Sequence, residues 1–438
     1  MRMSISLRLA VPALIAAAAA TSAEDWPQWR GPAGSGVSNE SSGWPEGWPP
    51  TRLWSRNVGK GCTSPIIADG QVFVMGWAGP KAAGNPQGTD TVFCIDARTG
   101  KELWKQQYTC RYQGRLRIGD KDAYGGPSAT PSFDKDTGYL YTLSIDGDLC
   151  CWNAREQGRP VWKRNLHKHY EVARRPDSGG GQRDFGFTAA PLILGNLVIV
   201  EVGAQEGTLI AFHKETGAQQ WASEYTLPAG HTGGLVPLTL DGKQCLAFLS
   251  LFELVIVSLE KGYEGKVLQT HKWQTDFACN IPTPAVCNEA IVLTSGYNRH
   301  STARLSIEAD GPGEKAAAAV WSARQYATVS SPVIHDGRVY VIGGALNCLD
   351  VETGARLWSG GSFGHGSCIV TAGDGKIIAF GERRLALIDA KPQDGQYHEL
   401  ARIDGVVGGI CYPHIALSAG IICCKDRDGN IVTYSVRD

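Results

Sequence analysis

Four stretches of this chain share one ending, and that ending constrains the fold more than any other feature. FCIDARTGKELW (93–104), CCWNAREQGRPVW (150–162), IAFHKETGAQQW (210–221) and NCLDVETGARLW (347–358) each pass from an apolar run through Asp, Asn or His to a Gly. A Trp follows that Gly by four residues every time, giving Gly100 and Trp104, Gly158 and Trp162, Gly217 and Trp221, and Gly354 and Trp358. The short polar residue can hydrogen-bond the turn backbone. Gly takes the left-handed conformation that other residues resist. The Trp then opens a new strand and fills space between neighbouring sheets. Self-similarity at this period marks a repeat architecture, so a count of domains from chain length does not apply.

A second signature lies upstream of each unit, a small residue or Thr followed by Pro and a strand. It occurs as Ser64-Pro65, Thr130-Pro131, Ala190-Pro191, Thr283-Pro284 and Ser331-Pro332, with Val236-Pro237 and Tyr412-Pro413 as looser forms. Pro suits the first residue of a strand, where no ladder donor is needed. Asp-Gly hairpin signals follow at Asp69-Gly70, Asp241-Gly242 and Asp336-Gly337. One unit therefore reads as a four-stranded antiparallel blade, and the chain as an all-β propeller. The Trp series 54, 104, 162, 221, 273, 321 and 358 sets the count. Blades are expected over about 65–104, 130–162, 189–221, 235–273, 283–321, 331–358, 368–403 and 412–438. The segment around Trp54 has no blade before it. It is expected to complete the last blade as its fourth strand and close the ring. Eight blades result, or seven if 368–403, which lacks a Trp, is only a connection.

The grammar D-x-x-T-G-x-x-x-W resembles the PQQ-like repeat over about 51–438. That propeller family includes quinoprotein dehydrogenases and the outer-membrane assembly scaffold. Membership implies either pyrroloquinoline quinone with calcium as a cofactor, or a protein partner. Quinoprotein alcohol dehydrogenases carry a ring formed by adjacent cysteines beside the quinone. Here Cys150-Cys151 and Cys423-Cys424 fall inside apolar strands, where successive side chains face opposite ways. They read as core residues. The calcium-liganding acids of the large dehydrogenases have no match in this chain.

The two ends differ from the repeats. Arg2 and Arg8 precede an apolar run from Leu9 to Ala20, and Thr21-Ser22-Ala23 fits a cleavage site, so 1–23 reads as a signal peptide. No Cys follows to carry a lipid. Residues 24–50 hold Trp26, Trp29, Trp44 and Trp48 among many Gly and Pro. They are expected to lie extended against the propeller (51–438), since four exposed Trp are costly in water. Net charge is −1, with 42 basic and 43 acidic residues. That balance gives no basis for holding a nucleic-acid backbone. No other apolar run is long enough to span a bilayer. A periplasmic or secreted monomer is expected.

Loops from each outer strand to the next inner strand gather on one face around the channel, and such loops carry function on a rigid frame. The candidate ligand-binding residues there are Lys60, Tyr124, Arg183, Asp184, His231, Asn280, Tyr326, His365 and His414. Gly230-His231 and Gly364-His365 repeat one pattern beside an inner strand. It suits a ligand, proton-shuttle or metal role, and equally a histidine that bonds backbone. Gly179-Gly180-Gly181 is a candidate lid element. The acidic stretch 426–430 reads as a hairpin turn rather than a calcium loop, because the acidic twelfth ligand is missing, and 134–138 is equally well explained as a turn. No catalytic set, phosphate loop or zinc spacing emerges. Two functions fit: a non-catalytic propeller that binds a protein or a ligand, or a quinone-dependent oxidoreductase acting on an alcohol or sugar.

Overall fold

The computed structural model describes residues 24–79, 87–111, 125–170, 172, 175–180, 184–287, 290–307 and 319–437. Residues 1–23, read as a leader, lie outside this set, as do Tyr124, Arg183 and Gly181. Eight antiparallel sheets follow one another around an axis. The first is Ile66–Ala68, Gln71–Ala78, Gln87–Asp96 and Glu102–Arg111. The next four are built the same way, starting at Ser132–Asp134, Leu192–Leu194, Val236–Leu240 and Ala285–Cys287. In the sixth, the strand Arg338–Asp350 turns at Gly343-Gly344, with φ +80° at Gly344, so its halves serve as second and third strands. The Val351 amide bonds the Gly337 carbonyl at 3.0 Å, as Ala97 bonds Gly70 in the first blade. The seventh blade is complete, from Ser367–Thr371 to Glu399–Asp404. The count is therefore eight. In the last blade Thr51–Asn57 pairs antiparallel with Asn430–Ser435 as its outer strand, which closes the ring.

The Gly and Trp of the repeat meet across blades. Trp54 of the last blade packs on Gly100 of the first. Trp104 packs on Gly158, Trp162 on Gly217 and Trp321 on Gly354, each belonging to the next blade. A β-carbon at Gly158 would stand 2.6 Å from the Trp104 ring, and φ there is +71°. Glycine is thus required twice, for the left-handed turn and for the close approach. Each indole N–H also donates to the carbonyl after the strand-end polar residue: Trp54 to Ala97 (2.9 Å), Trp104 to Ala154 (3.2 Å), Trp162 to Lys214 (2.9 Å) and Trp321 to Val351 (2.9 Å). Blades four and seven have no such turn ahead of them in the repeat grammar. Correspondingly, the Trp221 and Trp358 indoles have no hydrogen-bond partner among the described residues. Trp358 instead packs against Tyr397, and the Tyr340 hydroxyl takes the Ala390 carbonyl.

The residue-before-Pro signature forms an inner belt. His414 donates its amide to the Ser64 hydroxyl (2.8 Å), Ser64 to the Thr130 hydroxyl (3.1 Å) and Thr283 to the Ser331 hydroxyl (2.9 Å). Each bond joins one blade to the next.

The segment 24–50 threads this belt. Trp26 pairs with Ile67, and the Pro27 carbonyl accepts from Phe133. Val37–Ser38 lies parallel to Ser367–Thr371. The Glu40 carboxylate accepts from the Ala419 and Gly420 amides. Between these anchors Trp29 donates to the Thr283 hydroxyl at 2.9 Å. The buried Arg30 guanidinium donates to the Pro284, Pro332 and Ser35 carbonyls. The segment thus touches the innermost strands of the first, second and seventh blades and residues that flank those of the fifth, sixth and eighth, so it lies along the axis side of the ring.

Gly158→Ala and Gly262→Ala compare the two roles of the turn glycine. Gly262 has φ +82° but nothing within 4 Å of an added β-carbon. Both changes carry the left-handed cost of about 1–2 kcal/mol. Only Gly158→Ala adds overlap with the indole, about 1–3 kcal/mol more. Urea midpoints should fall further for Gly158→Ala, and equal shifts would remove the docking role.

Candidate functional site

Above the axial segment, a cavity of about 370 Å³ opens among the loops that precede the inner strands. Trp29 is its floor, and Gly233 and Gly234 leave room for the indole, since a β-carbon at either would stand within 2.6 Å of it. Phe185, Phe277, Tyr297 and Tyr412 supply aromatic wall. Ser128, Thr188 and His231 supply polar groups, and Cys62 and Cys279 thiols. None of the described wall residues is Asp, Glu, Lys or Arg.

Phe277 reaches the cavity through a strained turn. Phe277 and Ala278 have φ of 60° and 58°, a conformation that costs a non-glycine residue energy. The loop bearing Gly179 and Gly180 holds that turn in place. Its Gly179 carbonyl accepts the Phe277 amide (2.7 Å), and the Ser178 hydroxyl accepts the Ala278 amide (2.5 Å). Gly180 packs on the Phe277 ring.

His231 locks the same region. The Phe185 amide donates to its Nε2 at 3.0 Å, so the ring proton sits on Nδ1, which donates to the Ala278 carbonyl at 2.6 Å. The ring is therefore neutral and joins two loops. The preceding Gly230 amide bonds the Glu201 carboxyl at 2.8 Å. Burial pushes that carboxyl up to about 7. Arg175 donates to the Ala229 and Gly230 carbonyls and pairs with Asp184 at 2.8 Å. Asp184 also accepts the Gly186 amide. Asp184 thus faces an internal arginine rather than the cavity.

The remaining candidates scatter. Asn280 is buried and donates to the Ser250, Leu251 and Trp273 carbonyls, which fastens the fourth blade. Lys60 pairs its backbone with Trp77. Tyr326 contacts the His300 ring, and the exposed His365 contacts Tyr412 edge-on at 5.7 Å. His414 lies buried against Trp29, with ring centroids 4.4 Å apart. Of the seven that are described, His231 lines the cavity and His414 backs its floor. Of the aromatic wall residues, only Tyr412 falls in a repeat signature, the looser Tyr412-Pro413. Trp29 comes from outside it, and Phe277 has no glycine to signal its turn.

The adjacent cysteines are buried free thiols. Cys150 faces the core between blades one and two, and Cys151 the core between two and three. Burial pushes the Cys151 thiol up to about 12 and the Cys150 thiol up as well.

A family model described as outer membrane protein assembly factor BamB matches residues 88–360, more than half of the chain. Quinoprotein alcohol dehydrogenase PedH of Pseudomonas putida is 23% identical over 266 residues, covering 56% of this chain. The match covers 36% of PedH, so the chain spans about a third of that relative's length. Among solved structures, BamB from Moraxella catarrhalis aligns with a TM-score of 0.56 at 13% identity, over 88% of this chain and 99% of that one. Quinohemoprotein alcohol dehydrogenase from Comamonas testosteroni aligns at 0.61 and 14%, over 94% and 80%. These two structural likenesses establish a shared fold.

Burial, with the Arg30 charge adding to it, pushes the His414 imidazole down from its ordinary 6.5 to about 3. The folded value lies below the unfolded one. Its contribution is therefore complete above about pH 6.5 and is lost as pH falls toward the folded value. The loss is about 1.4 kcal/mol per pH unit. Asp90 and Glu201, both pushed up to about 7 by burial, act with the opposite sign. Comparing His414→Phe with the parent isolates the histidine. Between about pH 6 and pH 4 the variant's urea midpoint should fall less steeply, and parallel slopes would contradict the assignment.

Proposed function

We propose, from the premise that this chain belongs to the PQQ-like repeat family of β-propellers, that it is an exported, non-catalytic propeller that binds a protein or a small ligand at its channel mouth. The observation that carries this is the described wall of the cavity, in which five aromatic side chains stand with no Asp, Glu, Lys or Arg. Pyrroloquinoline quinone bears three carboxylates and works with calcium. Calcium takes six to eight oxygens, mostly from carboxylates. The described wall offers no carboxylate for the metal and no cation for the quinone. No cluster of three or more His, Cys, Asp or Glu able to hold a metal occurs among the described residues. The adjacent cysteines lie in cores away from the cavity wall. The group does not fit the described site, and no step is drawn through it.

Export rests on the reading of 1–23 as a leader, which supports a periplasmic or extracellular location. No helix among the described residues is long and apolar enough to cross a membrane. The family that includes the assembly factor supports an envelope or extracellular protein partner. The loops carrying His231 and Phe277 are held by dense hydrogen bonding, as a preorganised binding face requires.

The test is direct. Purified protein is titrated with pyrroloquinoline quinone and calcium, and dye reduction is followed with alcohols and sugars. The expected result is no saturable quinone binding at micromolar concentration and no dye reduction. Calcium-dependent binding with turnover would replace this reading by that of a quinone-dependent oxidoreductase.

A further inference from the structure

We propose that Glu40 is the binding site for the α-amino group freed at Glu24 when the leader is removed, so that processing after Ala23 adds an internal ion pair between the axial segment and the last blade. This rests on the reading of 1–23 as a leader, and it concerns a site apart from the channel-mouth cavity.

The Glu40 side chain is fully buried. Its Oε1 accepts the Ala419 amide at 2.6 Å and the Glu24 nitrogen at 3.0 Å. Its Oε2 accepts the Gly420 amide at 2.9 Å and meets the partly exposed Arg437 at 3.3 Å. Ala419 and Gly420 turn the hairpin between Ala416–Ser418 and Ile421–Lys425, and Arg437 follows Asn430–Ser435. These three partners therefore belong to the last blade. A carboxylate taken out of water is costly unless it is paired. As a peptide nitrogen, Glu24 gives Glu40 one hydrogen bond from a neutral group. As an α-ammonium it gives a charge-assisted bond, roughly twice as strong.

The residues that carry this nitrogen are fastened by other contacts. The Glu24 carboxylate accepts the Asn39 amide at 3.0 Å and the Asn39 side-chain N–H at 3.1 Å. Asp25 accepts the Asp69 amide at 3.2 Å and meets Lys135 at 3.4 Å. Trp26 bridges Ile67. Cleavage after Ala23 thus leaves the amine on its acceptor, and little ordering opposes the pair. Processing stabilises the exported form and not its precursor.

For the experiment, the protein is exported by its own leader from a bacterial host, and intact mass gives its first residue, expected to be Glu24. Two forms made without the leader are then compared, one beginning at Glu24 and one keeping Ser22-Ala23, each with and without Glu40→Gln. Urea unfolding should give the Glu24 form a folding constant about three- to thirtyfold larger. In Glu40→Gln the two forms should agree within about twofold. By NMR, the α-amine of the Glu24 form should titrate above the ordinary range of about 7.7–8.0, and that of the longer form within it. The other charges around the amine are Arg437, which opposes this rise, and the Glu24, Asp25 and Asp374 carboxylates, which favour it; Asp25 is paired with Lys135, and Asp374 accepts from Ser42. The titration needs no variant, so it decides the matter if Glu40→Gln fails to fold. Equal stability of the two forms, an effect of the extension that persists in Glu40→Gln, or an ordinary titration of the Glu24 amine would each overturn the proposal. A first residue other than Glu24 overturns it and leaves export standing. Retention of 1–23 removes the export reading and the proposal with it.

Discussion

The residue that follows the strand-end Asp, Asn or His is held at both ends of its peptide unit, and the ring depends on that. In the first blade this residue is Ala97. Its amide bonds the Gly70 carbonyl of the hairpin in its own blade. Its carbonyl takes the indole of Trp54 from the preceding blade. Ala154, Lys214 and Val351 repeat the arrangement. One short turn thus ties each sheet to itself and to its neighbour. A hydrogen bond of this kind contributes about 0.5–1.5 kcal/mol net. Burial of the large indole adds to it. Because Trp54 lies near one end of the described chain and docks on the first blade, the same device that spaces the blades also closes the ring.

Closure creates the axis, and the axis sets the site. Inner strands bonded to each other by Ser64, Thr130 and Ser331 leave a narrow channel. The first part of the segment 24–50 lies along it and places Arg30 among carbonyls of the fifth and sixth blades. Its Trp29 ends the channel and starts the cavity. The pocket's aromatic character follows from this plug and from the loops packed above it.

The repeat made the scaffold legible because its turn chemistry is local. An Asp followed by Thr and Gly closes a turn wherever it stands, as Asp96 and Asp350 do by accepting from Thr99 and Thr353. The partner of each Trp was less legible. Gly and Trp are four residues apart in one unit, yet the contact runs to the next unit, and a constant spacing cannot distinguish the two. In the seventh blade Ala401 holds the place of the Trp, pairing with Leu387 as Trp358 pairs with Cys348 in the sixth. Blade number was therefore open between seven and eight until the sheets were seen. At the site, loop position pointed to His231 and to His414. It could not point to Trp29, whose partner Thr283 is 254 residues away. Nor could it show that Asp184 and Asn280 are engaged with internal partners, because Arg175 and the Trp273 carbonyl reach them only through tertiary packing.

The most direct test of ring closure is amide hydrogen exchange, resolved by peptide, across residues 51–57, 96–101 and 430–435. Closure by strand pairing and indole docking predicts slow exchange in 51–57 matching that of 430–435, and joint loss of protection in all three regions in Trp54→Ala. Fast exchange of 51–57 beside a protected 430–435, or an unchanged 96–101 turn in the variant, would contradict it.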